Sequence, residues 1–380
     1  MNILYIETSL APHRGGVQKV TWNISKFLEA NGFNIFFAYH LVDYDKIPES
    51  NKIKFSLSWT PDKFFDVLSS FIKINKIDII ISQDRTLPFY TETYKRIKKE
   101  KICKIIHCVH QSPDFFKHIK IGMSQKIKNI LYMILHGKSF RKIQEQSIYS
   151  IADRTVLLSE LFLKDYIKIN DIKDQGKLSA ISNPLSFVTY VTENEIMNKE
   201  KIVLIITRFE EKQKNTKSAL RVWSKVFPKI DDTWKLVLAG YGEDEKMILD
   251  YAKELKLKKF EFIGKILSPE EYYEKASIFM MTSHYEGFGI TLTESQQKGC
   301  IPIAFNTYNA VKDIIIDEYN GYIIPPYDEQ LYAEKMIELI NDKEKMVQMQ
   351  FNAVKSSEKF DIKNIGTKWI NLLNGILNDE

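Results

Sequence analysis

The stretch SHYEGFGITLTESQQKGCIPIAF, Ser283 to Phe305, decides the fold. It opens at the end of one apolar run, IFMMTS (Ile278 to Ser283), and closes on another, IPIAF (Ile301 to Phe305). Both runs are short enough to be buried strands, and a glycine-rich loop with a helix starting at about Ile290 lies between them. Consecutive strands joined through a helix run parallel, because the crossover returns the chain to the same end of the sheet.

The same rhythm extends in both directions. KIVLIIT (Lys201 to Thr207), WKLVLAG (Trp234 to Gly240) and FEFIG (Phe260 to Gly264) read as strands, each followed by a helix. In SPEEYYEKA, Ser268 is expected to cap, Pro269 to take the first turn and Glu271 to complete a capping box. Upstream, NPLSFVTYVTENEIMNKEK has no sustained period and separates this series from an earlier one. The earlier series starts with a strand at Asn2 to Glu7 and the loop LAPHRGG. A helix follows, with Val17, Val20, Ile24, Phe27 and Leu28 at helical spacing and Gly32 as its stop. FNIFFAY, IDIIIS, KIIHCVH (Lys104 to His110) and TVLLS continue the strands. The expected fold class is α/β: two Rossmann-like, doubly wound domains facing a cleft. Residues 1–185 form the first domain, 186–360 the second, and 361–380 a helix packing back toward the first.

Composition agrees. A chain of 380 residues suffices for two domains, and 44% hydrophobic with 27% charged residues excludes a disordered or fibrous protein. MNILYIE lacks a basic leader and reads as a buried strand, so a cytoplasmic protein is expected. Cys103, Cys108 and Cys300 have no metal-ligand spacing and suit packing in a reducing compartment. Between Lys95 and Lys142 there are 13 Lys or Arg against Glu100 and Asp114. Within that patch KIKNILYMILHGKSFRK reads either as a core helix with solvated flanks or as a helix resting on an anionic membrane. No nucleic-acid recognition motif accompanies the charge.

Ligands of doubly wound sheets sit beyond the carboxyl ends of the strands. There Glu286 follows a strand, Gly287-Phe288-Gly289 lets backbone approach a ligand, and the helix from Ile290 carries Glu294. A helix N-terminus favours phosphate and carboxylates accept hydrogen bonds from hydroxyls, a combination that fits a nucleotide-sugar. Each Glu taken alone is better explained by a glycine-rich turn with a carboxylate at the helix N-terminus. Asp231-Asp232 precedes a strand, at the wrong end for a metal site, and Gly240-Tyr241-Gly242 lacks the third glycine of a dinucleotide fingerprint. Neither a metal nor NAD is expected.

Glu286 and Glu294, with seven residues between them in EGFGITLTE, resemble the paired-glutamate motif of the retaining family-four glycosyltransferases. Gly15-Gly16, SNPL (Ser182 to Leu185), LAGYGE (Leu238 to Glu243) and NGYIIPPYD (Asn320 to Asp328) match further landmarks in order. The resemblance implies the GT-B fold, with the acceptor held by the first domain and the donor by the second. It implies that Glu286 binds the transferred sugar and Glu294 the ribose, with Gly287, Phe288, Gly289 and Ile290 lining the donor. Arg208 and a lysine, Lys214 or Lys212, would neutralise the diphosphate without a metal. Gly15 and Gly16 would close on that diphosphate, and His110 would lie near the reacting carbon, with His107 structural. The expected reaction is metal-independent, retaining transfer of a hexose or N-acetylhexosamine. Its donor is a UDP-sugar, or a GDP-sugar second, and its acceptor a glycan or lipid-linked hydroxyl in surface polysaccharide synthesis at the inner face of the membrane. A sugar phosphorylase and a noncatalytic scaffold of the same fold are the alternatives.

Overall fold

The computed structural model describes residues 1–12, 15–56, 58–83, 88–113 and 140–378. The helix anticipated within Lys126 to Lys142 falls mainly outside them. The chain divides into two compact units. Among the described residues, the first contains the chain up to Pro184 and again from Ile362 onward; the second is Leu185–Asp361.

The first unit is built on seven parallel strands among the described residues: β1 Asn2–Ser9, β2 Asn34–Val42, β3 Lys52–Lys54, β4 Ile79–Ser82, β5 Lys104–Val109, β6 Arg154–Leu157 and β7 Leu178–Ala180. Their spatial order is β3-β2-β1-β4-β5-β6-β7. The chain winds outward from β1 in one direction and from β4 in the other, so the topological switch lies between these two strands. Ile79, Ile80 and Ile81 are fully buried, as expected of a strand covered on both faces. Phe64, Leu68 and Ile72 recur along the helix Pro61–Ile74 and supply its core face. Thr60 caps that helix, its side chain accepting from the Lys63 amide at 3.2 Å. The C-terminal helix Ile362–Asn378 packs on the helix Gly16–Ala30.

The second unit has six parallel strands among the described residues: β8 Glu200–Arg208, β9 Lys235–Tyr241, β10 Phe260–Gly264, β11 Ala276–Met281, β12 Ile301–Phe305 and β13 Tyr322–Ile324. The order β10-β9-β8-β11-β12-β13 puts its switch between β8 and β11. Every residue of β11 and β12 is buried. Trp223, from the helix Thr216–Val226, fills the core beside Leu236 and Leu238.

Several local expectations need correction. Ser268 does not start a capping box: the helix begins at Glu270, its N-cap is Pro269, and no side chain caps it. A capping box occurs instead within the aperiodic segment after Asn183. There Thr192 and Glu195 exchange hydrogen bonds of 2.7 and 3.3 Å at the start of the short helix Glu193–Met197. The edge strands β3, β7 and β13, each three residues long, carry too little pattern to be read from sequence. Asp231 accepts from Lys201 Nζ at 2.7 Å and from the Thr233 amide at 2.7 Å, a solvated turn leading into β9.

Candidate functional site

In the second unit the polar groups collect on both sides of the switch point, where neighbouring strands send the chain apart and leave a crevice at their carboxyl ends. Arg208 ends β8 and pairs in register with Tyr241 of β9. Its guanidinium reaches Gln213 Oε1 at 3.1 Å and Glu210 Oε2 at 2.9 Å. The Arg208 side chain is 59% exposed, so these contacts hold it only weakly.

After Arg208 the chain turns through the short helix Glu211–Lys214. Asn215 then adopts a left-handed conformation, φ 49°, and its side-chain amide donates to the Thr282 carbonyl at 3.2 Å. The His284 amide returns a bond to the Gln213 carbonyl at 2.7 Å. These links tie the loop after β8 to the loop after β11. Lys214 is thereby aimed across the switch point, its ammonium 2.6 Å from Glu286 Oε1. The side chains of this pair are 17% and 11% exposed. Lys212 lies on the same short helix and has no such partner position. Of the two candidate lysines, Lys214 is the one placed against Glu286. Ser283 Oγ donates to the same carboxylate oxygen at 2.7 Å.

The GFG turn follows. Phe288 is 2% exposed and packs edge-on against Phe360, with ring centroids 5.5 Å apart. Gly289 is the N-cap of the helix Ile290–Gln297 at φ 97°, a left-handed conformation that favours glycine. A Cβ there would lie 2.4 Å from the Tyr308 hydroxyl. No side chain caps this helix and no acidic residue occupies its first turn, and the Leu292 amide bonds back to the Gly289 carbonyl at 2.9 Å. Glu294, 6% exposed, accepts from the Tyr273 hydroxyl at 3.2 Å. The second unit therefore brings together Arg208, Lys214, Glu286 and the Gly287-Phe288-Gly289-Ile290 turn, with Glu294 one helical turn further on.

In the first unit, Gly15 is the N-cap of the helix Gly16–Ala30 in extended backbone, φ 178°. Both glycines are exposed, and nothing in the free chain demands glycine there through strain. His110 directly follows β5 and hydrogen-bonds through Nε2 with Gln83 Oε1. Gln83 itself follows β4, so the pair sits next to the switch point of this unit. His107 is 1% exposed within β5. The cysteines offer no nucleophile: burial pushes the Cys103 and Cys300 thiols up to about 12 and Cys108 higher still.

Ser283, Tyr273, Asn215, Gln213, Gln83 and Tyr308 were not singled out from sequence. Ser283, three residues before Glu286, had a local signal; Tyr273 and Gln83 meet their partners only through the fold. Among the described residues no group of His, Cys, Asp and Glu is arranged to hold a metal ion, and no helix is long and apolar enough to cross a membrane.

With this geometry in hand, similarity to known proteins becomes informative. Residues 189–356 match the family model described as glycosyl transferases group 1. The chain is 27% identical over 202 residues to a Campylobacter jejuni GalNAc-alpha-(1->4)-GalNAc-alpha-(1->3)-diNAcBac-PP-undecaprenol alpha-1,4-N-acetyl-D-galactosaminyltransferase. That match covers 53% of this chain and 56% of the relative, so the chain spans little more than half of it. An uncharacterized glycosyltransferase of Haemophilus influenzae is 22% identical over 380 residues, covering 94% of this chain and 96% of its own. Among solved structures, a mutant of S. aureus TarM in complex with fondaparinux, alpha-GlcNAc-glycerol and UDP superposes with a TM-score of 0.73. It is 15% identical, with 98% of this chain and 99% of that chain covered. Residues 189–356 therefore resemble glycosyl transferases group 1, and the chain as a whole shares the fold of the TarM structure.

Proposed function

We propose that the chain is a retaining, metal-independent glycosyltransferase that moves a hexose or N-acetylhexosamine from a UDP-sugar to a hydroxyl of a glycan or lipid-linked acceptor. The observation that carries this reading is the Lys214–Glu286 pair, 2.6 Å apart beyond the carboxyl end of β11, with the uncapped helix at Ile290 immediately downstream. A cation, a carboxylate that accepts from hydroxyls and the N-terminus of a helix are three elements suited to a diphosphate-linked sugar. The names of the relatives support the class of substrate. The Campylobacter protein acts on a PP-undecaprenol-linked glycan, and the S. aureus structure holds UDP.

On this reading Glu286 accepts hydrogen bonds from the transferred sugar and Glu294 from the ribose. The donor diphosphate draws Lys214 away from Glu286 and is met by Arg208 as well. In the first unit, Gly15, Gly16 and His110 are the corresponding candidates. As the bond from the anomeric carbon to the phosphate oxygen breaks, Arg208 and Lys214 stabilise the charge left on the diphosphate. The acceptor hydroxyl attacks from the face the diphosphate leaves, its oxygen forms the new bond to the anomeric carbon, and its proton passes to the departing phosphate oxygen. The three cysteines, held as thiols by burial, supply no covalent nucleophile to replace this route. The protein works on the cytoplasmic side, at the membrane surface where a lipid-linked acceptor is presented, in surface polysaccharide synthesis.

Sugar transfer by Glu286→Ala and Arg208→Ala tests the assignment. Glu286→Ala is expected to lose transfer while remaining folded. Arg208→Ala is expected to lower kcat about 100-fold or more, the order found when a fixed group stabilising developing charge is removed, with acceptor affinity kept. Wild-type rates in both variants would remove this site from the chemistry.

A further inference from the structure

Glu294 belongs to the helix Ile290–Gln297, but the group that fixes its carboxylate comes from a different element. Tyr273, fully buried on the helix Glu270–Lys275, donates its hydroxyl to Glu294 Oε2 at 3.2 Å. The ring cannot wander. It packs against Phe187, with centroids 6.1 Å apart, and against Phe279 at 5.5 Å. Burial and the neighbouring carboxylate hold its pKa well above that of an ordinary phenol, so it remains a proton donor at all physiological pH values.

The two helices are also bound to each other. Lys298, just past the end of the Glu294 helix, reaches Glu270 at 2.6 Å and Glu274 at 2.9 Å, both on the Tyr273 helix. Gln297 accepts from the Phe187 amide at 3.3 Å and donates to the Phe187 carbonyl at 2.8 Å, fixing the ring on which Tyr273 rests. Donor and acceptor of the Tyr273–Glu294 bond therefore stand on elements with little relative freedom. A long carboxylate side chain held in one rotamer before its ligand arrives gives up less entropy on binding.

We infer that Tyr273 is a positioning residue for the donor site: it aims the Glu294 carboxylate at the ribose diol of the nucleotide. This rests on the donor-site reading above and adds to it a residue that touches no substrate. Tyr273→Phe removes only the hydroxyl and keeps the ring packing, so the folded protein is retained and the role can be measured directly.

The test is calorimetric binding of UDP and of 2′,3′-dideoxy-UDP to the full chain, comparing wild type, Tyr273→Phe, Glu294→Ala and the double variant. UDP affinity is expected to fall about fivefold in Tyr273→Phe, the scale of one hydrogen bond, with affinity for the dideoxy analogue unchanged. Glu294→Ala is expected to lose more, and the double variant to bind no more weakly than Glu294→Ala alone, because the phenol acts only through the carboxylate. In turnover the donor KM rises with kcat kept. Unchanged UDP affinity in Tyr273→Phe beside a clear loss in Glu294→Ala overturns the positioning role and leaves the donor site standing. Equal losses for UDP and the dideoxy analogue also overturn it, assigning the hydroxyl to packing. Unchanged affinity in Glu294→Ala overturns the ribose assignment itself.

Discussion

Gly289 shows how one residue can be required by two independent causes. Its φ of 97° penalises any side chain, and the Tyr308 hydroxyl occupies the space a Cβ would need, 2.4 Å away. Gly289→Ala is therefore expected to destabilise the protein by roughly 2–4 kcal/mol, combining left-handed strain with overpacking. The Tyr308 hydroxyl is itself buried without a hydrogen-bond partner, so Tyr308→Phe alone costs nothing and relieves the clash. Denaturant unfolding of the single and double variants measures this: Tyr308→Phe should recover part of the loss, and an unimproved double variant would leave strain as the only cause. From sequence, Gly289 was legible as part of a glycine-rich turn, whereas its contact with Tyr308 was not. The two residues are brought together by strands β11 and β12, and nothing in their spacing announces it. Lys214 illustrates the same limit. Sequence left it in competition with Lys212; only the left-handed turn at Asn215 and its bond to the Thr282 carbonyl decide which ammonium meets Glu286.

Elements with a full period or a fully apolar run were readable; elements held by tertiary contacts alone were not. The strands β9, β11 and β12 are apolar and largely buried, so burial on both faces leaves a signal in composition. The three-residue edge strands depend on a neighbour's hydrogen bonds and have no signal of their own. Helix starts fall between these cases, since Ser268 has the right chemistry but the backbone enters the helix two residues later. The C-terminal helix Ile362–Asn378 was expected from sequence, and its packing depends on a glycine. A Cβ at Gly366 would fall 2.2 Å from the Phe27 ring of the helix Gly16–Ala30. Gly366→Ala should improve helix propensity by about 1 kcal/mol and lose more by overpacking, about 1–3 kcal/mol. A thermal unfolding midpoint lowered by a few degrees is the expected outcome, and a raised midpoint would mean that the two helices separate at little cost.

For the whole molecule, two parallel sheets each reverse strand order once, and polar side chains gather where they do. Arg208 and Glu286 flank the switch between β8 and β11, and Gln83 and His110 stand beside the switch between β1 and β4. This arrangement follows from topology: a doubly wound sheet opens a crevice where successive helices leave on opposite faces. Sequence reached the class of fold because alternation is a global pattern, and it reached Glu286 and Glu294 through a motif. It stopped at Tyr273, which meets Glu294 across a chain separation that no local pattern encodes, and it named Lys214 without settling the choice against Lys212. The central claim is that the site around the Lys214–Glu286 pair binds a nucleotide-sugar without a metal. Calorimetric titration of the purified chain with UDP-, GDP- and ADP-sugars in the presence of EDTA, repeated with Glu286→Ala, tests it most directly. The expected result is binding of a UDP-sugar that EDTA does not weaken, with affinity for the sugar but not for UDP alone reduced in Glu286→Ala; binding of no nucleotide-sugar, or equal affinity in wild type and variant, would contradict it.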